Sequence, residues 1–162
     1  MNHCSQRNLS KEVDLTASRY PNLKRGNYSI LEDGDVSFFK SILGSNRVLT
    51  NEDDLSGNYI NSIKGHLFSK NVIKGFNTDW LKTVRGQSKI VLKPKTTEEV
   101  AEIVGHCVRR KLAICPQGGN TGLVGGSVPV FDEVIISTSL MDQIEGIQKN
   151  RALLILRAPQ WF

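Results

Sequence analysis

The chain has 162 residues and a mass of 18.0 kDa, about one average domain, which excludes a large multidomain enzyme within these residues. Hydrophobic residues make up 39% and charged residues 23%, a balance typical of a folded globular domain. The formal net charge of +5 is a mild excess that does not require a nucleic-acid partner, and no apolar run approaches the roughly 18 residues of a membrane-spanning helix.

The first part of the chain is predicted to form an arm followed by a helical lead-in. Residues 1–31 are polar and basic with little periodicity, and we expect them to lie as an extended arm over a folded body. From Asp33 apolar residues recur at helical spacing as far as Gly44, a residue type that favours a helix C-terminus. This helix opens a lead-in over residues 32–87, in which residues 50–79 show no clear apolar face.

A strand, a helix and a strand are predicted next. Ile90–Leu92 is a short apolar run ended by Pro94, which is typical of a buried strand. Thr96 and Glu99 have the spacing of a capping box, and apolar residues follow at helical spacing: Val100, Ile103, Val104, Cys107 and Val108. The run Leu112–Cys115 then predicts a second strand, parallel and adjacent to the first. The predicted fold class is α+β.

The segment after this second strand has an unusual composition. Residues 116–127 read PQGGNTGLVGGS and hold five of the chain's fourteen glycines within nine residues. Each glycine costs roughly 0.5 to 1 kcal/mol of extra backbone entropy, so a compensating role is expected. Glycines let backbone N–H groups approach an anion closely, and Asn120, Thr121 and Ser127 add neutral partners for phosphate or ribose oxygens. The segment therefore predicts a nucleotide diphosphate site.

Two common nucleotide motifs do not fit this segment. A phosphate-binding loop of the ATPase type needs a lysine after its last glycine, and residues 112–148 contain neither lysine nor arginine. A GxGxxG fingerprint needs a helix next, whereas Val134–Ser137 has the pattern of a strand. A plain surface hairpin normally takes two to five residues and rarely places Leu123 and Val124 between paired glycines, so a binding element is favoured.

Two stretches resemble a known family. Lys89–Ser139, above all PQGGNTGLVGGSVPVFDEVIIST, is similar to the flavin-binding module of the D-2-hydroxyglutarate dehydrogenases, and the preceding NTDWLKTVRG at Asn77–Gly86 matches as well. These enzymes are FAD-dependent proteins of the vanillyl-alcohol oxidase and p-cresol methylhydroxylase type. The resemblance implies that residues 88–162 are the N-terminal half of an FAD-binding domain, with the match ending near residue 142 and an insertion at residues 55–76.

The resemblance also implies a cofactor, FAD, and the residues that bind it. Gly118–Gly122 would wrap the diphosphate, Asn120 and Thr121 would hydrogen-bond it, and the following residues would continue the cradle. The implied cofactor-binding residues are Pro116, Gln117, Gly118, Gly119, Asn120, Thr121, Gly122, Gly125, Gly126 and Ser127. No catalytic or metal-binding residue is implied within the chain.

The implied activity is oxidation of a D-2-hydroxy acid, first of all D-2-hydroxyglutarate to 2-oxoglutarate, by hydride transfer from C2 to the flavin. Electron-transfer flavoprotein is the expected acceptor and the mitochondrion the expected location. An FAD-linked D-lactate dehydrogenase and a non-catalytic truncated product are the alternatives. Because the family continues well beyond the matched region, the chain is expected to be a truncated N-terminal part that is inactive alone.

The remaining candidates have ordinary structural explanations. His66 and His106 have no Cys, Asp or Glu at ligand spacing, so no metal site is predicted. Cys107 and Cys115 occupy apolar positions of the predicted helix and strand and are expected to fill the core. Trp80 is expected to pack or to be exposed rather than to stack on a ligand.

Overall fold

The computed structural model describes residues 13–50, 72–148 and 153–156. The secondary structure in these ranges, in chain order, is α1 (Thr16–Arg19), α2 (Asp33–Leu43), a 3₁₀ turn (Ser45–Arg47), β1 (Val48–Thr50), α3 (Val72–Phe76), β2 (Ile90–Leu92), α4 (Thr97–Arg110), β3 (Ile114–Gln117), β4 (Val134–Ser137), β5 (Ile144–Gln148) and β6 (Leu153–Leu156). None of the helices described is long and apolar enough to cross a bilayer.

Strands β1 to β4 form one sheet in the order β1-β2-β4-β3. Strands β2, β4 and β3 are parallel, and β1 is antiparallel to β2 at the edge. The prediction that β2 and β3 are direct neighbours is wrong, because β4 lies between them. All four residues of β4 are buried, as expected for a strand that is covered on both faces and paired on both sides. In a separate pair, β5 and β6 are antiparallel, so the apolar run ending at Leu156 is a strand.

Helix α2 follows its sequence pattern closely. It begins with a capping box in which the backbone N–H of Glu32 donates to Oδ2 of Asp35 at 3.1 Å. It ends at Gly44, whose φ of 78° is easily adopted by glycine and whose N–H donates to the carbonyl of Lys40. Phe39 and Leu43 on this helix are buried, and the predicted helix is confirmed.

Helix α4 is also present, but two details differ from the prediction. Thr96 caps it by accepting a hydrogen bond from the Glu99 N–H, whereas the Glu99 carboxylate accepts from Arg47 at 2.7 and 2.8 Å and from the Lys95 N–H. Val108 is 68% exposed, so the buried face of α4 includes fewer residues than its apolar spacing predicts. The strand after the helix, β3, begins two residues later than predicted because Leu112 closes the helix end by donating to Cys107.

The sheet buries apolar side chains on both faces. On one face the residues of α2 and α4 pack against the sheet, and this cluster contains Phe39, Leu43, Val48, Ile90, Leu92, Ile103, Cys107, Leu112, Val134 and Ile136. On the other face α3 covers a smaller cluster of Leu49, Ile73, Val91, Cys115 and Ile135. Burial raises the pKa of the Cys107 and Cys115 thiols to about 11, so both cysteines fill the core as predicted.

Residues 13–31 of the N-terminal arm lie against this body and include α1, which was not predicted. The Thr16 N–H donates to the carbonyl of Arg85 at 2.8 Å, and the Arg25 guanidinium donates to the Asp132 carboxylate at 2.6 and 3.1 Å. Of the insertion expected at 55–76, residues 55–71 lie outside the described part of the chain, and so does His66.

Candidate functional site

The glycine-rich loop, defined here as Gly118–Ser127, leaves the sheet at the carboxyl end of β3. Strands β3 and β4 are parallel, so the residues that follow β4 emerge at the same edge. The Thr138 N–H donates to the carbonyl of Gln117 at 3.0 Å, which holds the two strand ends together. Ligands in sheets with parallel strands bind at such carboxyl edges, where two chain segments diverge from neighbouring strands.

Three polar side chains fix the conformation of the loop. Gln117 is 2% exposed, and its amide nitrogen donates to the carbonyls of Phe76 and Ser127 at 2.9 and 2.8 Å. Asn120, with a φ of 54°, donates from its side-chain amide to the carbonyl of Thr78 at 2.8 Å. The Ser127 hydroxyl donates to Oδ1 of Asn120 at 2.8 Å and so ties the two ends of the loop together.

A second segment, residues 77–88, packs beside the glycine-rich loop and is held in shape by its own hydrogen bonds. Asn77 and Ser88 exchange hydrogen bonds, since the Ser88 N–H donates to Oδ1 of Asn77 and the Asn77 amide donates to the Ser88 carbonyl. The Asp79 carboxylate accepts from the N–H groups of Thr83 and Val84 at 2.6 and 2.7 Å and from the Thr83 hydroxyl at 2.8 Å. Burial acts to raise the pKa of Asp79, but these hydrogen bonds outweigh it and lower that pKa.

Two glycines allow this second segment and the chain around the loop to pack closely. A Cβ on Gly125, which has a φ of 70°, would lie 2.6 Å from Cγ2 of Val84. A Cβ on Gly86 would lie 2.2 Å from the carbonyl oxygen of Pro129. Both distances are too short for any side chain. The two stretches that carry the family resemblance are therefore parts of one packed unit.

The loop keeps its backbone donors available. Among the residues that the structure describes, none accepts a hydrogen bond from a backbone N–H of residues 118–127. A Cβ on Gly122 or Gly126 would meet no atom within 4 Å, so open space borders both glycines. Thr121, directly before Gly122, is exposed. A fixed loop with free N–H groups, open space and no nearby carboxylate in its sequence has the donor chemistry that a diphosphate requires.

The last residue of β4 and the two residues after it add hydroxyl groups at the same edge. Ser137 is buried, and its hydroxyl lies 3.2 Å from that of Ser139. The Thr138 hydroxyl is buried and has no hydrogen-bond partner within the described part of the chain, which is costly unless a ligand or water provides one. This Ser-Thr-Ser run was not among the predicted site residues, although its place at the end of a buried apolar strand is a usable signal.

The structure thus brings all ten predicted cofactor-binding residues together at one sheet edge. Gln117, Asn120 and Ser127 use their side chains to hold the loop, whereas Thr121, Gly122 and Gly126 are exposed. The loop tip, Leu123 and Val124, is 64% and 93% exposed. In residues 13–50 and 73–143 no three His, Cys, Asp or Glu side chains are close enough to share a metal ion.

Comparison with known proteins places these observations in a family context. Residues 88–158 match the model of the FAD binding domain family. The chain is 44% identical over 149 residues to mitochondrial D-2-hydroxyglutarate dehydrogenase of Rattus norvegicus, a match that covers 92% of this chain and 24% of that protein. It is 41% identical over 143 residues to a putative mitochondrial D-lactate dehydrogenase of Schizosaccharomyces pombe, covering 88% of this chain and 25% of that protein.

Solved structures show the same fold. An alkyldihydroxyacetonephosphate synthase superposes with a TM-score of 0.55 at 14% identity, covering 78% of this chain and 22% of that one. The predicted resemblance and the predicted partial FAD-binding fold are confirmed by these matches, and FAD is the cofactor of the matched domain family. The chain spans about a quarter of the length of the curated relatives it matches.

Proposed function

We propose that this chain, similar over most of its length to the D-2-hydroxyglutarate dehydrogenases, is the part of an FAD-dependent D-2-hydroxy-acid dehydrogenase that binds the FAD diphosphate. The observation that supports this most directly is the set of backbone N–H groups in the glycine-rich loop that have no acceptor among the described residues. Fixed N–H groups stabilise negative charge without a lysine or arginine, which residues 112–148 lack.

The ten residues have two kinds of role in this proposal. The backbone of Gly118–Gly122 and Gly125–Ser127 and the Thr121 hydroxyl donate to the phosphate oxygens. The side chains of Gln117 and Asn120 keep those donors in place through their contacts with Phe76 and Thr78, and Pro116 shapes the entrance. Some residues of the loop hold it in place while others bind the phosphate. Because the loop is already held in place, binding requires little conformational change.

Bound FAD would supply the acceptor for a hydride from C2 of a D-2-hydroxy acid. D-2-hydroxyglutarate is the substrate we propose, because the D-2-hydroxyglutarate dehydrogenase of Rattus norvegicus is 44% identical to the chain over 149 residues. D-lactate is the rival, since the loop contacts only the cofactor. We further propose electron-transfer flavoprotein as the electron acceptor and the mitochondrion as the location. In this proposal residues 1–31 are an arm, residues 32–87 a lead-in and residues 88–162 the FAD-binding segment.

Flavin binding tests the proposal. The purified chain is titrated with FAD and the quenching of flavin fluorescence is followed, with circular dichroism to show that the protein is folded. A Gly122→Val variant places a side chain in the open space beside the loop and should weaken FAD binding about tenfold or more. Gly34→Val in α2 is the matched control, because a Cβ there also meets nothing within 4 Å. A folded wild-type chain that does not bind FAD contradicts the proposal.

A further inference from the structure

Lys93 is a partly buried cation without a counter-charge among the described residues. It directly follows β2, and its backbone N–H donates to the carbonyl of Arg47 at 2.9 Å. No acidic side chain in the described ranges forms an ion pair with it. Burial lowers the pKa of its ammonium group. A cation that is partly removed from water and unpaired destabilises the fold unless a ligand compensates it.

The strand register places Lys93 in one row with two residues of the candidate site. Leu92 pairs with Ile136 and Gln117 pairs with Ser137, so Lys93, Ser137 and Gln117 succeed one another across β2, β4 and β3. Neighbouring strands are about 4.8 Å apart, so the Cα atoms of Lys93 and Gln117 are roughly 10 Å apart. A lysine side chain bridges most of that distance.

Lys93, Ser137 and Gln117 also lie on the same face of the sheet. Val91, Ile135 and Cys115 pack together on the face that α3 covers, and side chains two residues further along a strand return to the same face. Lys93, Ser137 and Gln117 each come two residues after Val91, Ile135 and Cys115, and they therefore share that face. The Gln117 side chain in turn donates to the carbonyl of Ser127, so the Ser127 end of the glycine-rich loop lies at the face of the sheet to which Lys93 belongs.

The charges are complementary as well. A diphosphate carries two negative charges near neutral pH, and the loop with its flanking strands provides N–H groups but no cation. We propose that Lys93 is a binding residue that pairs with the diphosphate held by the glycine-rich loop. This inference rests on the function proposed above and assigns that site its positive charge.

The test compares two lysines at opposite ends of one strand. Lys89 directly precedes β2 and is exposed, whereas Lys93 directly follows it. The affinities of the wild-type chain, Lys93→Gln and Lys89→Gln are measured for FAD, ADP and riboflavin by fluorescence titration and calorimetry. We expect Lys93→Gln to lose about tenfold affinity for FAD and ADP and to bind riboflavin like the wild type, because riboflavin has no phosphate. Lys93→Arg should retain the affinity for FAD.

Each other result has a defined meaning. The inference is wrong if Lys93→Gln binds FAD as tightly as the wild type, or if its affinity for riboflavin falls as much as its affinity for FAD. The proposed function stands in either case. Equal losses in Lys89→Gln and Lys93→Gln also contradict the inference, because they indicate a general effect of net charge. If the wild-type chain is folded but binds neither FAD nor ADP, the proposed function itself fails and the inference fails with it.

Discussion

Nε2 of His106 lies 2.7 Å from Oδ1 of Asp35, and this contact joins α4 to α2 on the face of the sheet opposite α3. The same carboxylate oxygen accepts from Nε of Arg110 at 2.9 Å, and the imidazole stacks on the ring of Phe38. Asp35 is 2% exposed. A buried carboxylate that accepts from both His106 and Arg110 fixes the packing of the two helices.

Asp35 makes the stability of the chain depend on pH. Burial acts to raise its pKa, but hydrogen bonds from Arg110 and His106 outweigh it and hold the pKa below the usual value. A carboxyl group with a lowered folded pKa stabilises the fold above its unfolded pKa of about 3.9, and this contribution is lost as the pH falls through the folded pKa. Asp35→Asn should therefore lower the free energy of unfolding at pH 7 by about 1–3 kcal/mol, and by less at pH 3.

Urea unfolding followed by circular dichroism at both pH values checks this prediction. Asp33→Asn is the control, since Asp33 lies in the same first turn of α2 but is exposed. A stability loss of the same size at both pH values would show that the charge of Asp35 is not responsible.

Two adjacent glycines should separate folding from binding. Gly125→Ala combines a positive φ with a close contact to Val84, so it should destabilise the fold by about 1–3 kcal/mol. Gly126→Ala meets no atom within 4 Å and should change the unfolding free energy by less than about 0.5 kcal/mol while weakening FAD binding. Thermal unfolding and flavin titration of both variants distinguish the two effects. Equal stability of both variants would contradict the packing described for Val84.

The two core cysteines should be unreactive in the folded chain. Burial raises the pKa of both thiols to about 11, so the reactive thiolate is scarce near neutral pH. In a Cys4→Ser background, a disulfide reagent at pH 8 should modify neither Cys107 nor Cys115 until urea unfolds the protein. Rapid labelling of one thiol per chain under native conditions would be inconsistent with this.

The 162-residue chain should bind FAD without oxidising D-2-hydroxyglutarate. It spans about a quarter of the length of its curated relatives, and the role proposed for the residues at the loop is to bind the cofactor, not a hydroxy acid. Reduction of an artificial electron acceptor, measured with D-2-hydroxyglutarate and with D-lactate, is expected to stay at the background rate. Turnover with either substrate would show that the chain contains a catalytic site that the structure does not reveal.

Local patterns were sufficient for some elements and not for others. The caps and periodicity of α2 and α4 and the isolated apolar run of β2 are local signals, and these elements were predicted. Strand β1 has only three residues and follows a 3₁₀ turn, which leaves too little pattern to recognise. The place of β4 between β2 and β3 depends on burial in the assembled sheet, and no local rule contains that information.

The candidate site shows the same division. The glycine-rich loop was evident from composition, because five glycines in nine residues need an explanation. Its supports were not evident: Asn120 contacts Thr78 across 42 residues and Gln117 contacts Phe76 across 41. Lys93 gave no signal either, since a lysine before a proline is ordinary until the strand register places it beside Ser137.

The order of strands in the sheet has a consequence for how the protein is made. β4 is the last of the four strands to be synthesised, yet it forms the bridge between β2 and β3. While a ribosome is still extending the chain toward residue 134, β3 has no place in the sheet and the loop that precedes β4 has no fixed ends. Both ends of the loop are therefore fixed in the sheet only when β4 inserts between β2 and β3, so the proposed binding site can be complete only after the last of the four strands has been made.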